Sequence, residues 1–237
     1  MPGPGALIHI RVGAEVFSIP ISEISQARLR ELARWMGLSL DEALDQAIQD
    51  QCDRKFWEAS NAGYAALRAD PSHKAVREVV ARVVAEPAAV LAGLGEPRRA
   101  GVEKLHHAPD LTILNVVWGP RMTIRPHNHL MWAVIGVYTG REDNIFWRRL
   151  PDDAGGGIEA AGAKSLGERA AEPLGRDIIH AVTNPLSRLT GAIHVYGGDF
   201  FAVTRSEWDP ETLCEQAYDL QGAMRIFEES NVLHARA

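Results

Sequence analysis

Arg125-Pro126-His127-Asn128-His129, followed by the apolar run Leu130 to Tyr138 and then Gly140-Arg141-Glu142, sets two histidines two residues apart at the head of a strand-like segment. Successive side chains of a β-strand point to opposite faces, so His127 and His129 project to the same side. Two imidazoles on one rigid face are half of a metal site. A third nitrogen has to come from elsewhere in the chain. His180, in Gly175-Arg176-Asp177-Ile178-Ile179-His180, offers it because it closes a short apolar segment just before the turn signal Asn184-Pro185. Each histidine taken singly reads equally well as a core or surface residue. The trio in this setting predicts a three-histidine metal site, imidazole being among the commonest metal ligands.

Around this stretch the texture is β. Leu111 to Trp118, Met131 to Tyr138, Asn144 to Arg149, Leu189 to Tyr196 and Phe200 to Thr204 read as short strands separated by Gly, Pro, Asn and Asp turns. That spacing predicts a sandwich or jelly-roll barrel rather than a βαβ sheet. Pro151-Asp152-Asp153-Ala154-Gly155-Gly156-Gly157 reads as a flexible surface loop. After Pro210 a helical pattern returns through Leu213, Ala217, Leu220 and Met224, and no internal repeat is visible.

Upstream the period changes. A short strand over Val16 to Ile21 precedes helical spacing at Leu29, Leu32, Ala33 and Met36. Ser39-Leu40-Asp41-Glu42 then forms a capping box opening a second helix, whose stripe Leu40, Leu44, Ala47, Ile48 and Cys52 continues through Phe56 toward Tyr64 and stops at Asp70-Pro71. Strand, helix, Gly-Leu-Ser turn and longer capped helix, with Asn61-Ala62-Gly63-Tyr64-Ala65-Ala66-Leu67-Arg68 behind them, resemble the ribbon-helix-helix fold of bacterial antitoxins and repressors over residues 14–72. That resemblance implies a dimer and a DNA-reading strand. The strand here offers Ser18, Ile19, Pro20, Ile21 and Ser22, and acidic residues outnumber basic ones over residues 1–75, so the electrostatic footprint of phosphate contacts is missing. A dimerisation or packing role is expected instead. A third helix carries Val76, Val79, Val80, Val83 and Val84 and ends at Glu86-Pro87. A short helix follows through Leu91 and Leu94, and Arg98-Arg99-Ala100-Gly101 reads as the linker into the β half. The expected division is therefore residues 1–72 and 73–237.

The chain's 237 residues are enough for such a plan, and its formal charge of -6 does not suit a general nucleic-acid or anionic-membrane partner. Met1-Pro2-Gly3-Pro4-Gly5 lacks a basic leader region and no run approaches a membrane span, so a cytoplasmic location is expected. Cys52 and Cys214 lie far apart without metal-type spacing, which fits a reducing compartment.

The His-x-His strand, the glycine-terminated strand after it and the distant third histidine resemble the cupin superfamily. Within it the chain is most similar to the thiol dioxygenases, the cysteine dioxygenase and 3-mercaptopropionate dioxygenase group. Val117-Trp118-Gly119-Pro120, Pro126-His127-Asn128-His129, Trp132 to Tyr138 with Gly140, Asp177 to His180 and Ile193-His194-Val195-Tyr196-Gly197-Gly198 carry this over residues 76–206. The resemblance implies an α+β chain whose C-terminal part is a cupin double-stranded β-helix, or jelly-roll, barrel behind a helical N-terminal region. It also implies Fe(II) at His127, His129 and His180, and oxidation of a small thiol to its sulfinic acid by O2. Most cupins add a glutamate shortly after the second histidine, but Leu130 to Ile135 contains no carboxylate. Three neutral imidazoles leave the full dipositive charge on a metal and favour an anionic sulfur ligand.

His194 and Tyr196 share one strand face with Ala192. The family carries a serine-histidine-tyrosine relay here, so the resemblance makes Tyr196 and His194 catalytic, with Ala192 where the serine should stand. Losing that hydroxyl removes an outer partner of the imidazole; a satisfied core histidine beside a core tyrosine is the plainer alternative. In the mercaptopropionate type the substrate-binding arginine aligns with Arg205, whose fork can grip a carboxylate, while a solvated arginine at a strand end reads equally well. Arg121, Arg125, Arg141, Arg148 and Arg149 compete for that role, and His106 and His107 read as rim or surface. No cysteine lies near Tyr196 or His129 for a thioether crosslink, which makes cysteine a poorer substrate than 3-mercaptopropionate. Two other functions stay open: a three-histidine cupin with Zn(II) and hydrolytic or isomerising chemistry, and a ligand-sensing DNA-binding regulator.

Overall fold

The computed structural model describes residues 7–12, 15–20, 73–151 and 155–235. By backbone contacts the chain divides into two units, Met1–Lys55 and Phe56–Ala237. In the first, β1 (Leu7–Val12) and β2 (Glu15–Pro20) form an antiparallel hairpin in which Leu7 stands opposite Pro20 and Val12 opposite Glu15. The strand expected near Val16 is thus present, paired within its own chain. The helices expected through Leu29 to Met36 and Leu40 to Tyr64, Cys52, the boundary at residue 72 and the middle of the 151–157 loop lie outside the described residues.

The second unit opens with helices α1 (His73–Val84) and α2 (Pro87–Leu94) and closes with α3 (Leu220–His234). Between them run β3 (Gly101–His107), β4 (Thr112–Trp118), β5 (Thr123–Asn128), β6 (Ala133–Thr139), β7 (Arg141–Arg149), β8 (Ile158–Gly167), β9 (Ala171–Leu174), β10 (Ile179–Thr183), β11 (Thr190–Tyr196), β12 (Ser206–Trp208) and β13 (Glu215–Ala217). They build a six-stranded sheet in the order β13-β12-β5-β10-β7-β8 and a five-stranded sheet in the order β3-β4-β11-β6-β9. Every pairing is antiparallel, and β4 to β11 pair as one long nested hairpin: β4 with β11, β5 with β10, β6 with β9, β7 with β8. Successive pairs of that ribbon fall in alternate sheets, which is the winding of a jelly roll. The expected fold class is what forms.

Side-chain alternation then divides the core in two. Leu114, Val116 and Trp118 of β4, Ile135 and Val137 of β6, and Ala192 and Tyr196 of β11 meet Ile124 of β5 and Val182 of β10 between the sheets. The intervening residues Ile113, Val134, Ile193 and Val195 face outward and are covered by Val76, Val80 and Val84 of α1 and Val90 of α2. A 12-residue helix is marginal alone. Burying four valines of α1, at about 1.5 kcal/mol or more each, is what holds it to the sheet. Gly136 makes the approach feasible, because a Cβ there would collide with Val80 and Val84.

Three expectations need correcting. Phe200 to Thr204 is not a strand: Asp199 Oδ1 accepts the backbone N–H of Phe201 (3.0 Å) and Ala202 (3.1 Å), and this side-chain turn breaks the extended chain. The tail after Pro210 forms β13 before it becomes helical, so Leu213 and Ala217 precede α3. Ala100 is buried rather than part of a loose linker, since both its backbone groups bond to the Asn231 side chain of α3 (2.7 and 3.0 Å). Among the described residues no helix is long and apolar enough to cross a membrane.

Gly136→Val should therefore lift α1 from the outer face of the sheet. We expect a loss of about 1–3 kcal/mol in urea unfolding, whereas Gly167→Val, where a Cβ meets nothing within 4 Å, should leave the midpoint nearly unchanged.

Candidate metal centre

Strands β5 and β10 lie side by side with His127 directly opposite His180. His129 follows the last residue of β5, and Leu130, in the left-handed region (φ 54°), turns the chain away behind it. The ring centroids stand 4.8 Å (His127 to His129), 4.7 Å (His127 to His180) and 5.1 Å (His129 to His180) apart. One nitrogen from each ring falls within 4.8 Å of the others, and among the described residues no Asp or Glu joins this group. The three predicted ligands therefore come together as a purely imidazole set. His180 does so from the start of its strand, not from the end that the apolar run suggested.

Hydrogen bonds assign the ring nitrogens. His127 donates Nδ1–H to the Arg125 carbonyl (2.9 Å), and His180 donates Nδ1–H to Asn144 Oδ1 (2.7 Å). Both therefore keep a lone pair on Nε2. His129 Nε2 lies 2.9 Å from His180 Nε2, and its buried Nδ1 has no partner. Burial lowers the His127 pKa from 6.5 to about 4, and burial followed by the neighbouring rings holds His129 and His180 well below the ordinary range. Neutral, buried nitrogens converging on one point fit a first-row metal such as iron or zinc.

Tyr196 of β11 reaches the same buried cluster from the opposite sheet. Its ring lies 5.0 Å from that of His129 and 4.4 Å from that of Phe200. Its hydroxyl is 3.0 Å from His194 Nδ1, and burial pushes its pKa upward, so it stays a phenol at neutral pH. Ala192 does stand on this inner face without a hydroxyl, but His194 is not left without an outer partner. Glu142 Oε2, reaching across from β7, lies 3.3 Å from His194 Nε2. The same carboxylate accepts Trp118 Nε1–H (2.8 Å) at Oε2 and Asn144 Nδ2–H (3.0 Å) at Oε1, and it is fully buried.

Arg205 is buried at 7% exposure, its guanidinium 3.9 Å from the Phe200 ring centroid and 4.3 Å from that of Tyr218. Nη1 donates to the Phe200 carbonyl (2.6 Å), while Nε has no partner. Its charge is close enough to lower the His127 and His129 pKa values. The competing arginines are otherwise engaged: Arg125 with Glu207, Arg141 with Asp143, Arg148 with Glu159 and Arg149 with Glu215, while Arg121 is exposed. His107 bonds Asp199 (2.8 Å) on the exposed side of β3. Sequence reasoning assigned no role to Glu142, Asn144, Phe200 or Tyr218. Glu142 and Asn144 do stand two residues apart on one strand face, but they sit in the wholly polar Arg141-Glu142-Asp143-Asn144, which advertises no buried side.

No family model matches the chain. Among solved structures it is similar to an RmlC-like cupin family protein of Methanocaldococcus jannaschii with a double-stranded β-helix fold, at 12% identity over 45% of this chain and 86% of that one (TM-score 0.37). A Bacillus halodurans protein matches at 14% identity over 49% and 77% (TM-score 0.37). Bacillus subtilis oxalate decarboxylase, in a structure concerned with its Mn(II) centres, matches at 13% identity over 39% of this chain (TM-score 0.31). The match takes in only 22% of the decarboxylase chain. The jelly-roll assignment itself stands on the nested strand pairing, and the three-histidine site on the ring geometry.

Proposed function

We propose that this protein is a non-haem Fe(II) dioxygenase that converts a small carboxylate-bearing thiol, of the 3-mercaptopropionate or cysteine kind, to its sulfinic acid. The observation that carries this reading is the company the three neutral imidazoles keep: one buried cation, Arg205, one buried phenol, Tyr196, and no carboxylate in the ligand set. In the overall change, RSH + O2 gives RSO2H. Both oxygen atoms end on sulfur, which loses four electrons to dioxygen, and the thiol proton ends on the acid. Fe(II) held by His127, His129 and His180 would supply the redox chemistry and, with no ligand charge opposing its own, would favour the thiolate form of the sulfur.

The chain's own residues do the rest. Arg205, whose guanidinium lies against the Phe200 and Tyr218 rings, keeps an unpartnered Nε–H that would bind the substrate carboxylate. Tyr196 packs its ring 5.0 Å from that of His129, and its hydroxyl is held by His194 Nδ1 at 3.0 Å. Burial of all three ligands and of Tyr196 excludes bulk water, which would otherwise solvate reactive sulfur and oxygen species. A helical module over residues 1–72 pairing two copies, and a cytoplasmic setting, belong to the same proposal.

An all-nitrogen triad also suits Zn(II) and a hydrolytic or isomerising water, so metal content and oxygen consumption are measured together. Protein purified anaerobically without added metal should carry iron and consume one O2 per thiol with 3-mercaptopropionate, cysteine or cysteamine as candidates. His127→Ala should lose both metal and uptake. Stoichiometric zinc with no uptake on any small thiol overturns the reading.

Arg205→Gln removes charged hydrogen bonds worth about 1.5–3 kcal/mol, and each 1.4 kcal/mol is about tenfold. KM for the carboxylate thiols should accordingly rise about 10- to 100-fold, while any turnover of cysteamine, which has no carboxylate, should not worsen. Equal loss on both would remove Arg205 from substrate binding.

The neutral triad also fixes a pH dependence. His127 binds its proton more weakly folded (pKa about 4) than unfolded (6.5), and the other two rings shift the same way. Between those values the unfolded chain holds more protons, so stability falls as pH drops through that window. Thermal melts of metal-free protein should show this decline, and His127→Phe should make it shallower, since His129 and His180 still contribute.

A further inference from the structure

The least expected group in this cavity wall is the carboxylate of Glu142. It is 0% exposed, points inward from β7 and, among the described residues, has no arginine or lysine beside it; His194 is its one ion-pair partner. An unpaired buried charge is costly, and this one is satisfied by three nitrogen donors: Trp118 Nε1 and His194 Nε2 at Oε2, and Asn144 Nδ2 at Oε1. We infer that Glu142 is a positioning residue that sets the hydrogen-bond polarity of two branches at once, one ending on the metal-facing nitrogen of His180 and the other on the hydroxyl of Tyr196.

Donor and acceptor capacity fixes the polarity of both branches. An ionised carboxylate only accepts. Asn144 must therefore turn its NH2 toward Glu142, which leaves Oδ1 facing His180 Nδ1 at 2.7 Å. A carbonyl oxygen also only accepts, so His180 carries its proton on Nδ1 and presents a lone pair at Nε2, where His127 and His129 converge. On the other branch His194 must present Nε2–H to Glu142. Nδ1, 3.0 Å from the Tyr196 hydroxyl, is then the accepting nitrogen of the ring, and the hydroxyl donates to it. With its proton committed to His194, the phenol oxygen can only accept from any further neighbour.

A glutamine at position 142 breaks this arrangement in a directed way. It has one oxygen and one NH2 for the same three neighbours. The site at Oε2 takes two donors and the site at Oε1 only one, so the glutamine oxygen keeps Trp118 and His194 and its NH2 faces Asn144. Asn144 must then flip, offering NH2 to His180 Nδ1, and His180 moves its proton to Nε2.

Nitrogen-15 correlation spectra of the histidine rings read this without metal or substrate. In metal-free wild type, His180 should show its protonated nitrogen at Nδ1 and His194 at Nε2. In Glu142→Gln, His180 should exchange the two while His194 keeps its pattern, and affinity for added Fe(II) or Zn(II) should fall about 10- to 100-fold. Glu142→Asp should retain the wild-type tautomers. A wild-type spectrum with His194 protonated at Nδ1 or His180 at Nε2 overturns the inference, as does a folded Glu142→Gln with unchanged tautomers and metal affinity. If Glu142→Gln does not fold, the wild-type spectrum decides alone. The inference holds for any metal at this site, so absence of thiol oxidation leaves it standing, and contrary spectra leave the dioxygenase reading standing.

Discussion

Three imidazoles packed at centroid separations near 5 Å coexist only if none of them is charged. Two imidazoliums this close, with Arg205 already adding a buried positive charge, would repel through a medium that screens poorly. Burial removes that conflict by making the protonated form expensive, and the His127 pKa near 4 is the consequence. The surrounding design follows from this. Neutral rings need their second nitrogens occupied to stay oriented, and the Arg125 carbonyl and Asn144 amide occupy two of them. The third, His129 Nδ1, is held by packing among His127, Tyr196 and Phe200 rather than by a partner.

The jelly roll is what brings these groups together from distant parts of the chain. Its ribbon pairs β5 with β10, so His127 meets His180 across fifty-odd residues, and β7 lies on the other side of β10, so Asn144 stands behind His180. The opposing sheet contributes β11, whose inner face carries Ala192, His194 and Tyr196 while Ile193 and Val195 point out toward α1. Ligands thus come from one sheet and the phenol from the other. Sheet-to-sheet packing, the same burial that stabilises the fold, fixes the distance between them.

The metal ligands and the fold class were legible in the sequence because both are written in local periodicity: His-x-His on a strand, and short apolar runs between turn residues. Other parts were hidden for identifiable reasons. Arg141-Glu142-Asp143-Asn144 looks like a solvated edge, since what buries its two inward polar residues is tertiary: Trp118 and His194 reach Glu142 from other strands and His180 reaches Asn144. Phe200 to Thr204 looks like a strand because Phe200 packs on His129 and Tyr196 rather than on a sheet face, and the Asp199 turn that bends it has no strong local signature. Arg205 could be aligned but not distinguished from its rivals until the ion pairs of Arg125, Arg141, Arg148 and Arg149 were known. β3 escaped notice because it is a sheet edge with little apolar alternation, intermediate or exposed along its whole length.

Where the negative charge stands matters as much as its presence. A carboxylate among the ligands would cancel one unit of a dipositive metal's charge at bonding distance and weaken its hold on an anionic sulfur. Glu142 is removed by one amide: its charge acts on the triad only from beyond bonding distance, while its accepting geometry is transmitted to His180 along two hydrogen bonds. The arrangement therefore separates two effects that a directly bound glutamate would combine, the orientation of the imidazoles and the neutralisation of the ion. Glu207 is buried as well, but it is bonded to Arg125 and Gln216, and Arg205 is the buried cation nearest the triad. On the proposed function, a substrate bearing a carboxylate and a thiolate would set the first against Arg205 and the second at the triad, and a neutral molecule would satisfy neither.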